Sequence, residues 1–308
     1  MVNKKDSGWI SVASILFLFF ITAMVSGLAL IFTTSNIYFR KNQNDYKIKK
    51  EADILLNRIL YDIQYLKEES FDSPENSYII SFINKYRKWN LTLEDVSSGL
   101  HLDFLPDSDL RDPLFSQYVF INNQSTAFIN YRNQHGLSSS VNDWRPYVTE
   151  AAISSCVTFG WLHRSHDSSF AFKEISRNFS TADQDKLFPI VNSFPLININ
   201  YVKPEIIELF ILRPSFEIKD AREKYKRLKT RLEQRPLDDL DIMEILGVPL
   251  ANRIFNYIGG KTAFWKITFD AEEKYIVQAI VAAVPNEKHN PRTVEKYVLL
   301  DRRFLNVR

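Results

Sequence analysis

The hydrophobic and polar positions fall into three regimes along the chain. From Trp9 to Phe32 every position is apolar or weakly polar, and no charge appears until Arg40. As a helix these roughly 24 residues rise about 36 Å, enough to cross a hydrocarbon core of about 30 Å. From Lys47 to Glu69 the pattern becomes one-sided. Ala52, Leu55, Leu56, Ile59, Ile63 and Leu66 recur at steps of three and four, the stripe of an amphipathic helix. "FDSPENS" (71–77) then supplies proline and turn formers that end it.

The third regime alternates. In "WNLTLEDVSSGLHLDFL" (89–105), Leu91/Leu93 and Leu100/Leu102/Phe104 alternate with polar residues around Ser97-Ser98-Gly99, which predicts a β-hairpin and places His101 on its solvated side. "KTAFWKITFD" (261–270), "EKYIVQAIVAAV" (273–284) and "VEKYVLLDRRFL" (294–305) predict three more strands. Between early and late strands, 107–258 reads as helical. A helix lies within 176–195, and Pro204 opens another carrying Ile206, Ile207, Leu209 and Phe210. Residues 218–234 form a charged, solvated helix, and 237–258 read as two helices joined at Gly247-Val248-Pro249. The fold class is therefore α+β: a long N-terminal helix packed on an antiparallel sheet, with a large helical insertion between strands.

Composition narrows the function. The 308 residues are 45% hydrophobic with a net charge of +2, which suits a membrane segment plus folded modules and gives no global attraction for nucleic acid. Neither a G-x-G-x-x-G nor a G-x-x-x-x-G-K-[ST] loop occurs. Cys156, the single cysteine, sits in apolar "ISSCVTF" and reads as a buried structural thiol. No nucleophile setting appears among the serines, and Asp238, Asp239 and Asp241 fit helix capping better than acid–base work, so no catalytic residue is assigned. His163 and His166 with Asp167 could approach a metal, but an isolated H-x-x-H lacks a third-ligand context, and no metal site is assigned.

The N-terminus leaves three outcomes open: a plain membrane anchor, a cleaved secretory signal, or a cut after Gly8 that keeps the helix. The apolar core is long for a signal, although "VSGLA" offers small residues. Lys4 and Lys5 argue for a cytoplasmic N-terminus, with a bias made shallow by Arg40, Lys41 and the lysines that follow.

A charged leader ending in Gly8, a long apolar helix, an α/β head and C-terminal strands together resemble a type IV pilin or pseudopilin. "LININYVKPEIIELF", with Asn198 and Asn200, is similar to a segment of the K-type minor pseudopilins of type II secretion systems. So is the absence of glutamate five places after the presumed cut, where Ala13 stands. The resemblance implies a 1–8 prepilin leader cut by a prepilin peptidase between Gly8 and Trp9, and a helix over 9–70 with its transmembrane part at 9–32. It implies a pseudopilin-like head over 71–106 and 259–308, and an insertion over 107–258. The implied role is a structural tip subunit of a pseudopilus in protein export. It would sit in the inner membrane with its C-terminal domain in the periplasm. Its partners would be other minor pseudopilins, the major pseudopilin and the peptidase, with no nucleic acid or small-molecule substrate. Ala13 carries the tip reading: without a carboxylate there, the subunit has no partner for a neighbour's amino terminus within the membrane. Some members of the family bind calcium in the insertion. The acidic, glycine- and tyrosine-rich stretch associated with it is missing here, and no ligands are transferred.

Two alternatives stand beside this reading. "ILGVPLANRIFNYI" resembles the second half of a helix-hairpin-helix motif, placed in the part spanning 196–258, as in membrane-anchored DNA receptors. Pro249 removes an N–H from the hairpin, and 196–260 carries 11 basic against 10 acidic residues, which is poor for phosphate binding. A bitopic membrane scaffold is the other.

Overall fold

The computed structural model describes residues 4–103, 105–135, 141–156, 197–212, 220–272, 274–286 and 290–307. It divides into two units, Met1–Leu55 and Leu56–Arg308. The histidine pair His163/His166 with Asp167, and the helix expected within 176–195, lie outside the described residues.

Helix α1 (Lys4–Ile63) fills the first unit and ends in the second. It is the one helix among the described residues long and apolar enough to cross a membrane. From Val12 to Phe39 its large apolar side chains stand exposed all round, and none of the described residues buries them. Three threonines here turn their hydroxyls to the helix's own backbone. Thr22, Thr33 and Thr34 hydroxyls donate to the carbonyls of Leu18, Ala29 and Leu30 at 2.7–2.9 Å, which removes their need for water. The helix already runs through residues 4–8, and it gives way at Gln64–Glu68 to a 3₁₀ turn, short of the expected residue 70.

In the second unit, the expected stripe is the buried one: Leu56, Ile59, Ile63 and Leu66 are all at most 2% exposed. Each contributes about 1.5–3 kcal/mol by burial. Helix α2 (Ser77–Lys85) follows, capped by the Asn76 side chain accepting from the Tyr78 N–H and burying Ile79 and Phe82. Strand β1 (Thr92–Asp95) comes next.

The expected hairpin does not form. Only its first arm is a strand. The Asp95 carboxylate takes the backbone N–H groups of Ser97 and Ser98 and both their hydroxyls, turning the chain out of the sheet. Leu100 and Leu102 then join the core of the insertion. His101 is buried, with Nε2 against the Ser97 carbonyl, and not solvated as its alternation suggested.

The insertion begins with α3 (Asp107–Leu110), α4 (Pro113–Val119), α5 (Ser125–His135) and α6 (Glu150–Ile153). Asp112 caps α4, and Arg132 of α5 donates to the carbonyls of Leu102 and Leu105 at 2.9 and 2.6 Å. After β2 (Ile197–Asn198) come α7 (Pro204–Ile211), α8 (Ala221–Gln234), α9 (Asp239–Leu246), α10 (Val248–Ile254) and β3 (Ile258–Gly259). β2 and β3 pair in parallel, closing the insertion on itself. Its apolar residues, from Leu100 to Ile258, form one core that includes Phe115, Phe128, Trp144 and Phe210.

Gly247, alone between α9 and α10, adopts φ 76°, ψ 152°, a conformation essentially closed to other residues. The two-helix reading of 237–258 is thereby met, and Asp238 and Asp241 form a reciprocal capping box on α9. Helix α8 buries Tyr225 and Leu228 and exposes most of its charges, as expected.

The chain then completes the sheet with β4 (Phe264–Ala271), β5 (Tyr275–Asn286) and β6 (Asn290–Asn306). The order β1-β4-β5-β6 is antiparallel throughout. β4 alternates buried Trp265, Ile267, Phe269 and Ala271 with half-buried Lys266, Thr268 and Asp270. The insertion thus leaves the sheet after β1 and returns immediately before the strand that pairs with β1.

Candidate functional site

Five segments of the second unit meet where the insertion leaves and rejoins the sheet, and they meet through polar groups. The centre is a buried ion pair. Lys261 Nζ lies 2.8 Å from Asp72 Oδ1 and donates also to the Leu66 carbonyl at 2.7 Å. The second Asp72 oxygen accepts the Thr262 N–H at 2.8 Å. Asp72 is wholly buried and Lys261 is 5% exposed. Burial pushes the Asp72 carboxyl above its ordinary range, against the opposing pull of Lys261 and the Thr262 amide.

Thr262 passes the network to a second carboxylate. Its hydroxyl donates to Asp95 at 2.7 Å and accepts from Asn198 Nδ2 at 2.9 Å. The Asp95 carboxyl is likewise raised by burial, opposed by Thr262, Ser98 and Ser97 as donors. Ser98 Oγ, donating to Asp95, also accepts the Asn198 N–H at 2.9 Å.

Asn198 and Asn200 are brought together here, on the strand-to-helix link that the sequence singled out. Asn198 Oδ1 accepts the Asn200 N–H, and Nδ2 of each side chain donates to the Asp72 carbonyl. Asn200 also holds both backbone groups of Leu237: Nδ2 donates to its carbonyl at 2.9 Å and Oδ1 accepts its N–H at 2.8 Å. Gly260 closes the ring, giving its N–H to Asp239 and its carbonyl to the Asp72 N–H. A Cβ on Gly260 would stand 3.1 Å from the Leu237 carbonyl oxygen, tighter than about nine in ten such contacts.

The cluster is a clasp in its chemistry. The carboxylate oxygens, amides and hydroxyls are engaged with one another inside the fold, and the polar groups join chain segments far apart in sequence. Cys156 is consistent with a structural thiol: burial pushes it up to about 12, away from the reactive thiolate.

Gly8, Trp9 and Ala13 fall in α1, in the other unit, and only their helical backbone is described. At the hairpin-like turn, Lys224 Nζ donates to the Leu246 carbonyl at 2.8 Å. That lysine is turned to the protein's own backbone.

Sequence reasoning found Asn198 and Asn200 but missed Asp72, Asp95, Ser98, Lys261 and Thr262. Asp72 and Ser98 lay in turn-forming stretches, and Lys261 and Thr262 read as the ordinary start of a strand. A lysine flanked by Gly259-Gly260 and the apolar β4 was the one available signal.

No family model matches the chain, and no curated protein matches it. Among solved structures, the chain is similar to one in the crystal structure of the GspK-GspI-GspJ complex from the type 2 secretion system of enterotoxigenic Escherichia coli. The identity is 12%, the TM-score 0.42, and the match covers 87% of this chain and 99% of that chain.

Proposed function

We propose that this chain is a minor pseudopilin, a structural subunit at the tip of a type II secretion pseudopilus. The observation that carries the reading is α1. Its apolar side chains are exposed from Val12 to Phe39, no charge lies between Trp9 and Arg40, and it continues into a head with an antiparallel sheet. A surface so apolar needs lipid or other helices around it. A pseudopilus uses both, first the bilayer and then the packed helices of neighbouring subunits.

In this reading a prepilin peptidase cuts between Gly8 and Trp9 and leaves the helix in place. The N-terminus is cytoplasmic, and the head lies in the periplasm, where it joins other minor pseudopilins above the major one. Ala13 supports the tip position, since it offers a neighbour's amino terminus no carboxylate. The clasp supports a passive role: it fixes the insertion on the sheet as one rigid contact surface, and the protein turns over no substrate.

The test is the mature N-terminus, determined by intact mass and terminal sequencing of membrane-extracted protein with and without the peptidase. A peptidase-dependent start at Trp9 is expected, and Gly8→Val should block it and abolish assembly. A start at Met1 in both strains would make α1 a plain anchor. A start beyond Leu28 would remove the assembly element altogether.

A further inference from the structure

The sheet ends on β6, an edge strand running from Asn290 to Asn306. A long exposed edge is a template for pairing with another chain. At Tyr297 that edge is already occupied. The Tyr297 N–H donates to Gln64 Oε1 at 2.8 Å, and Gln64 Nε2 donates to the Tyr297 carbonyl at 3.0 Å.

These two bonds lie on the outer side of the strand. Tyr297 stands opposite Ala283 of β5, and the Ala283 N–H is given to Ala263 on the far side. The pair is therefore the non-hydrogen-bonded kind, in which both backbone groups of Tyr297 point away from β5. The Gln64 carboxamide offers them one acceptor and one donor, as the peptide groups of an added strand would. Its own position is set by the 3₁₀ turn, and Nε2 is shared with the Leu60 carbonyl at 3.1 Å.

We propose that Gln64 is an edge guard, whose carboxamide stands in for a neighbouring strand and keeps β6 from pairing with the β6 of a second copy. A second copy is the occupant the strand's chemistry fits. β6 carries Glu295 and Asp301 against Arg292, Lys296, Arg302 and Arg303, a net of +2, and an antiparallel copy can bring Glu295 of one edge near Arg302 and Arg303 of the other. Leu305 and Val307 leave exposed apolar surface at its end.

The experiment uses the full chain in detergent and compares wild type with Gln64→Ala and Gln64→Glu. Mass is measured by light scattering over a concentration series, and backbone exchange by mass spectrometry. The glutamate keeps an acceptor for the Tyr297 N–H but loses the donor, so it should fall between the other two. In Gln64→Ala at low concentration, the Tyr297 amide should exchange up to ~10-fold faster. At high concentration the mass should rise, with amides in 298–306 gaining protection. Circular dichroism identifies any variant that fails to fold; Gln64→Glu then carries the comparison. A mass equal to wild type at every concentration in a folded variant overturns the guard. So does association that leaves 298–306 unprotected.

Discussion

At the scale of single residues, the buried charges are the most consequential side chains in the second unit. Lys261→Met would leave the Asp72 carboxylate inside the fold without its cation, and we expect a loss of about 3–5 kcal/mol in urea unfolding. Replacing both partners, Asp72→Leu with Lys261→Met, should recover most of that loss, because the penalty lies in the orphaned charge. A double mutant no better than the single one would mean that the wider network, not the pair, carries the effect.

His101 gives a pH signature. Burial lowers its pKa to about 4, against the 6.5 of an exposed histidine. Below pH 6.5 the unfolded chain takes up a proton that the folded chain refuses, so stability falls as the pH drops from 6.5 toward 4. The full span is about 3 kcal/mol. Asp72 and Asp95, with raised values, act in the opposite sense, so the histidine is isolated by difference. The stability of His101→Gln, measured by denaturant titration across pH 4–7, should lack this decline relative to wild type. Parallel profiles would refute it.

At the scale of elements, the α9–α10 junction depends on one backbone conformation. Gly247→Ala places a Cβ where φ is 76° and brings it 3.4 Å from Lys224 Nζ. We expect a cost of about 1–3 kcal/mol, read as a lower thermal midpoint with unchanged secondary structure. An unchanged midpoint would show that the junction can re-form without the glycine. The strands illustrate a different dependence. β4, β5 and β6 were legible because their apolar positions alternate or run together over lengths typical of strands. The second arm of the expected hairpin alternates equally well. Its leucines are buried against the insertion, and Asp95 diverts the chain first, so local pattern lost to a tertiary competitor.

For the whole molecule, the division into two units has a direct consequence. Removing residues 1–40 takes away the exposed apolar stretch and leaves the second unit intact. The shortened chain should be monodisperse without detergent, with a cooperative thermal transition and the circular dichroism of a mixed α/β protein. Aggregation of that chain would place essential packing in the first 40 residues.

The sequence alone determined what depends on local order along the chain. The uncharged 9–39 stretch, the stripe ending at Leu66, the helix pair around Gly247 and the three late strands all follow from periodicity and backbone preference. Even Asn198 and Asn200 could be singled out, though their bonds could not. The tertiary structure decided what depends on distance in sequence. Lys261 meets Asp72 across 189 positions, Thr262 meets Asp95 across 167, and Gln64 finds the edge of β6 across 233. Nothing in a single stretch marks such partners, because a buried polar residue and a solvated one look alike until the rest of the chain has excluded the water.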